Sequence, residues 1–159
     1  EAIATKKGRK FSAVRETSGS AAEIVVSPYR TTILADGRDV TVINISAVDS
    51  QGREVPDANM LVKFSVTGNG KIIGVGNGDP SSHEPDICED GKWQRRLFNG
   101  KCQVILQSGT EPDKIKFEAS AEGLWSGSTC CRQRLRLRTP AEPPGRGGHF
   151  RQRQTEKES

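Results

Sequence analysis

Four side chains able to hold a metal ion or move a proton, Asp79, His83, Glu84 and Asp86, fall within GVGNGDPSSHEPD, residues 74–86. Around them stand Gly74, Gly76 and Gly78, with Pro80 and Pro85 as stiffeners. Oxygen-rich loops hold calcium when acids recur at alternate positions, whereas prolines separate these acids irregularly. Two carboxylates suffice for glycoside hydrolysis when held about 5–5.5 Å apart, or farther for inversion, so Glu84 with Asp79 or Asp86 is a formal acid/base pair. Nearly any acidic loop meets that criterion. The G-x-G-x-G run imitates a phosphate cradle, but a dinucleotide fingerprint opens a helix, which Pro80 and Pro85 forbid. The remaining reading is structural: the glycines permit a sharp reversal after KIIGV, and Asn77 and Asp79 bond local backbone N–H groups. It leaves His83 and Glu84 free for an interface with another domain.

The other reactive side chains add no site. Cys88, Cys102, Cys130 and Cys131 contain no C-x-x-C, and the two histidines, His83 and His149, lie far apart, so zinc spacing is absent and neither metal nor cofactor is expected. A Cys88–Cys102 disulfide in an oxidising compartment and free thiols are the two alternatives. Formal net charge is +4, yet from Arg132 onward eight Lys/Arg face three Asp/Glu, which leaves sixteen against seventeen before it. The basic character therefore belongs to the tail. Such a tail can touch nucleic acid or an anionic surface, but RLRLRTPAEPPGRGGHFRQRQTEKES lacks interleaved aromatics and reads as a solvated, disordered end. No nucleic-acid partner is expected. No membrane partner is expected either, since no run of about 18 apolar residues occurs.

Period-2 alternation is the pattern that positions these residues. KIKFEASA sends Ile115, Phe117, Ala119 and Ala121 to one side; KCQVILQ turns Cys102, Val104 and Leu106 inward; VKFSV does the same for Val62, Phe64 and Val66. DVTVINISAVD is apolar on both parities, as a central strand. Asp36-Gly37, Gln51-Gly52, Gly68-Asn69-Gly70, Asn77-Gly78 and Asn99-Gly100 supply the reversals. Strands are thus predicted near 23–27, 39–48, 61–67, 70–75, 100–107, 114–121 and 124–131. About seven short strands make an all-β, immunoglobulin-like β-sandwich, without the antibody Cys–Trp–Cys pattern, because Trp93 falls in a loop and Trp125 near the last strand. Residues 1–22 read as the end of a preceding domain, with a strand around Phe11 to Arg15, and a Ser/Gly linker that is mobile when alone. Residues 23–131 form the sandwich and 132–159 the basic, disordered tail. With no apolar leader and Glu1 in place of an initiator methionine, the chain reads as cut from a longer protein.

The order of the motifs carries a resemblance. ADGRD, VPDA, GVGNGDP, SHEP and LFNG, within RTTILADGRDVTVINISAVDSQGREVPDANMLVKFSVTGNGKIIGVGNGDPSSHEP, RRLFNGKCQVILQSG and IKFEASAEGL, closely resemble the C-terminal immunoglobulin-like domain of large glycoside hydrolase family 2 β-galactosidases, over roughly residues 23–125. The resemblance implies an accessory domain whose partners are the other domains of a parent glycoside hydrolase. The retaining chemistry of two glutamates belongs to a TIM barrel upstream, and no residue here matches its motifs, so no catalytic residue is assigned. A periplasmic or secreted parent is implied. Asn77, Asp79, His83, Glu84, Trp93 and Trp125 remain candidates for the domain interface or, alternatively, for a carbohydrate-binding module taking galactosides or polysaccharide through ring stacking and hydrogen bonds. An adhesion-type immunoglobulin-like domain is a further alternative, resting on fold analogy alone.

Overall fold

The computed structural model describes residues 2–14, 16–88 and 90–135. Its strands are β1 (Ala2–Lys6), β2 (Arg9–Ala13), β3 (Glu23–Pro28), β4 (Thr32–Leu34), β5 (Val40–Val48), β6 (Leu61–Thr67), β7 (Gly70–Gly76), β8 (Gln94–Arg96), β9 (Lys101–Ser108), β10 (Lys114–Ala121) and β11 (Gly127–Arg134). A five-stranded sheet in the order β4-β11-β10-β6-β8 and a four-stranded sheet in the order β3-β5-β9-β7 form the all-β sandwich, while β1 and β2 pair as a separate hairpin.

Alternation makes the core. In β9 and β10, Cys102, Val104, Leu106, Ile115, Phe117 and Ala119 are buried while the residues between them are exposed or half-buried. β5, apolar on both parities, buries Thr41, Ile43, Ile45 and Ala47, with Val40 and Val42 half-buried on the other face. Phe64 of β6 and Phe117 of β10 stack with ring centroids 5.9 Å apart, and each large apolar side chain so buried contributes about 1.5–3 kcal/mol.

Three features differ from the sequence-based expectation. The segment expected around Phe11 to Arg15 is instead the second strand of the β1–β2 hairpin, ending at Ala13. β4 and β8 are additional strands of three residues each, too short for a periodic signal; β4 exists through parallel pairing with β11, Thr32 beside Arg132. That pairing also carries β11 to Arg134, beyond the expected end at residue 131. Of the two alternatives for Cys88 and Cys102, the structure has the free thiols, Cys102 buried and its thiol pushed up to about 12 by that burial. The expected tail from residue 136 onward lies outside the described residues.

The linker is bonded to the sandwich. The Asp49 carboxylate, at the end of β5, accepts hydrogen bonds from Gly19 N (2.8 Å), Gln51 N and Arg53 N (2.9 Å each) and Arg53 Nε (2.8 Å). Arg53 Nη1 reaches Glu16 at 3.1 Å, and Ala22 N donates to Val48 O. The linker is thereby tied to the sandwich at Glu16, Gly19 and Ala22. The Gly19 N–H above all, and then Arg53, hold the Asp49 carboxyl well below its ordinary value of 3.8, against the opposing effect of burial. A depressed folded-state value means that the ionised form stabilises the fold above the ordinary carboxylate range, and that this contribution is lost as pH falls toward the folded value. Asp49→Asn is therefore expected to melt below the wild type at neutral pH, with the gap shrinking below about pH 4. Equal gaps in melting temperature at pH 7 and about pH 2.5 would contradict this role.

Candidate functional site

β7 is bulged between Ile72 and Gly74, and the chain then leaves its sheet to wrap around β8. In β8, Gln94 and Arg96 face solvent, so strand alternation turns Arg95 inward, where it is 4% exposed. A guanidinium in that position needs partners, because an unpaired buried charge is severely unfavourable. The loop supplies them. Arg95 Nη1 donates to Glu84 O at 2.8 Å and to Asp86 Oδ1 at 2.9 Å, and Nη2 donates to Asn77 Oδ1 at 3.2 Å. Glu84 Oε2 lies 3.7 Å from Arg95 Nε, which makes no hydrogen bond.

Each candidate is then held in turn. Asn77 Nδ2 donates to Arg96 O at 3.0 Å, and its oxygen also accepts from Asp79 N at 3.1 Å. Asp79 Oδ1 accepts from Ser81 N (2.9 Å) and Ser81 Oγ (2.7 Å); these hydrogen bonds, with the nearby Arg95 charge, keep its carboxyl below the usual range. Glu84 Oε2 accepts from Arg96 N at 3.0 Å while Oε1 lies 3.4 Å from Arg96 Nε. Val75 N donates to Asp86 O at 2.9 Å, tying the far end of the loop back to β7. His83 is exposed. Asn77, Asp79 and Glu84 are thus gathered into one network around Arg95.

Neither tryptophan is hydrogen-bonded into that network, and the two stand apart from each other. Trp93 is half-buried against the core beside β8, its carbonyl accepting from Phe64 N. Trp125, 79% exposed, sits in the β10–β11 turn, bonded to Ala22 and Ile24. β6 and β10 separate the two positions in the sheet. A groove of about 550 Å³ beside the loop is lined by Leu61, Glu84, Pro85, Ile87 and Cys88 among others, and Ile87 in it is 64% exposed.

Chemically, the arrangement can hold a loop. A general acid must carry a proton near neutral pH, and the hydrogen bonds to Asp79 favour its ionised form. The carboxylates of Glu84 and Asp86 are drawn to Arg95 and Arg96. Among the described residues no group of three or more His, Cys, Asp or Glu side chains could hold a metal ion. Arg95, the organising residue, was missed from sequence. Its signal was the alternation of Trp93, Arg95 and Leu97 against exposed Gln94, Arg96 and Phe98, concealed because an arginine is not counted as an inward residue.

Residues 24–129 match the family model described as glycoside hydrolase family 2 C-terminal domain 5. The chain is 43% identical over 108 residues to the β-galactosidase BoGH2A of Bacteroides ovatus, a match covering 68% of this chain and 12% of that protein. A second relative, a β-galactosidase of Thermoanaerobacter pseudethanolicus, is 39% identical over 56 residues, covering 35% of this chain and 8% of its own length. A solved glycosyl hydrolase family 2 member from Bacteroides cellulosilyticus superposes with a TM-score of 0.74 at 32% identity, covering 83% of this chain and 17% of that one. The chain therefore spans a small part of the relatives it matches.

Proposed function

This chain belongs to the glycoside hydrolase family 2 C-terminal domain 5 family, and from that premise we propose that it is a non-catalytic domain packing against the catalytic body or a neighbouring subunit of a β-galactosidase-like enzyme. The observation that carries this reading is the network around Arg95: the polar side chains that suggested chemistry from sequence, Asn77, Asp79 and Glu84, are spent on holding one loop. The β1–β2 hairpin supports it. All ten of its strand residues are exposed, Ile3 at 66% and Phe11 at 57%, and a two-stranded hairpin with no covered face is marginal in water, so it calls for contacts beyond this chain. In this role His83, Trp125 and the exposed Ile87 are surface elements that a neighbouring domain covers.

The test is made on a family 2 β-galactosidase carrying this domain, intact and truncated before it. The truncated enzyme is expected to inactivate at a lower temperature or to change its preference among galactosides. An enzyme unaltered in both respects contradicts the proposal.

A further inference from the structure

The two sheets differ in the chemistry of their outer faces. On the four-stranded sheet Ser27, Asn44 and Gln103 form one cross-strand row of uncharged polar groups, with Gln103 Nε2 donating to Asn44 Oδ1 at 2.8 Å. On the five-stranded sheet Lys114 and Arg132 are direct cross-strand partners, Lys116 stands opposite Cys130 in the neighbouring outward row, and Arg134 ends β11. All four cations are exposed. Lys116 is paired with Glu118 at 2.8 Å, whereas Lys114, Arg132 and Arg134 have no ion pair among the described residues.

Like charges directly opposite one another destabilise a sheet, and neither member of this opposed pair makes an ion pair among the described residues. The domain is not short of acids: residues 1–135, which include all four of these cations, hold seventeen Asp/Glu against eighteen Lys/Arg. An exposed face that sets like charges opposite one another, within a nearly neutral domain, is electrostatically complementary to an anionic partner.

We propose that the outer face of β10 and β11, through Lys114, Lys116, Arg132 and Arg134, docks an anionic polysaccharide bearing carboxylate or sulfate groups. The glycan class rests on the glycoside hydrolase reading above; the cationic face stands independently of it. Neighbouring strands lie about 4.8 Å apart and same-face residues along a strand about 7 Å apart, so the cations form a two-dimensional array suited to a repeating charged chain. No aromatic side chain stands in the rows Thr67–Lys116–Cys130 and Lys114–Arg132–Thr32, which removes the stacking platform used on single-stranded nucleic acid. A flat sheet also lacks the helix or ribbon that enters a duplex groove.

The experiment titrates the 159-residue chain with oligogalacturonate and a sulfated galactan, and with neutral galactan and a DNA duplex as controls, following backbone amide shifts. Expected are saturable shifts centred on residues 114, 116, 132 and 134 with a charged glycan, an affinity falling steeply between about 50 and 200 mM salt, and no response to neutral galactan. The triple variant Lys114→Gln, Arg132→Gln, Arg134→Gln, which leaves the tail cations in place, should bind about tenfold more weakly or worse. Lys114→Glu places an acid opposite Arg132 and should raise Tm by about 2 °C while weakening glycan binding. Wild-type affinity in either variant, no binding of either charged glycan, or DNA binding at least as tight as theirs overturns the proposal. None of these outcomes bears on the packing role, which the truncated enzyme tests separately; conversely, an unaltered truncated enzyme leaves the cationic face to stand or fall on this titration.

Discussion

Arg95→Ala is expected to lower the unfolding free energy by about 2–4 kcal/mol, measured by urea denaturation, and to release amide-exchange protection in residues 77–86. The substitution empties an inward position of β8 and removes the guanidinium donors from the Glu84 carbonyl and from Asn77 Oδ1, which retains only Asp79 N. Asp86 contributes little of this, because its side chain is 75% exposed and its ion pair is screened by water; Asp86→Ala should cost about 0.5 kcal/mol or less. Arg95→Lys should restore only part of the loss, since an ammonium cannot reach the three directions the guanidinium fork serves. A change below about 0.5 kcal/mol for Arg95→Ala, or loop protection that survives it, would remove Arg95 as the organiser of the loop.

Gly100→Ala is the second large effect, about 3 kcal/mol or more. Asn99 and Gly100 form the two-residue turn between the bridged residues Phe98 and Lys101, with φ of 50° and 74°, the geometry of a type I′ hairpin. A Cβ on Gly100 would collide with the backbone carbonyl of Val55. That segment cannot retreat freely, because Gly100 N donates to Ala58 O at 3.0 Å and Ala47 N to Gly100 O at 2.9 Å. Gly78 is the control. It also has φ of 74°, but no heavy atom lies within 4 Å of its would-be Cβ, so Gly78→Ala should cost only the left-handed backbone penalty, about 1 kcal/mol. Equal costs at the two positions would show that backbone conformation alone, and not the Val55 contact, makes Gly100 necessary.

The Arg95 contacts locate where the loop at residues 74–86 derives its shape. Its glycines permit the reversal, but its path is held by a side chain nine residues beyond the loop's end, together with the Glu84 contacts to Arg96. The linker follows the same principle: Asp49 and Arg53 hold Gly19 and Glu16 across some thirty positions of sequence.

The sequence by itself determined the sheets' central strands and which way they face. Alternation in KIKFEASA, KCQVILQ and VKFSV has a period of two, so one register alone buries the apolar set, and the turn dipeptides between them allow few other connections. The ordered motifs likewise identified the family without help from the fold. Only the tertiary structure decided the rest. β4 and β8 exist because partner strands complete their hydrogen bonds, which three residues cannot signal locally. Strand alternation turns Arg95 inward, but burial of its charge is affordable only once the loop oxygens of Asn77, Glu84 and Asp86 are assembled around it. The opposition of Lys114 to Arg132 and the pinning of Gly19 by Asp49 are likewise invisible in a one-dimensional pattern, since the first depends on the register of β10 with β11 and the second on a linker folding back onto the end of β5.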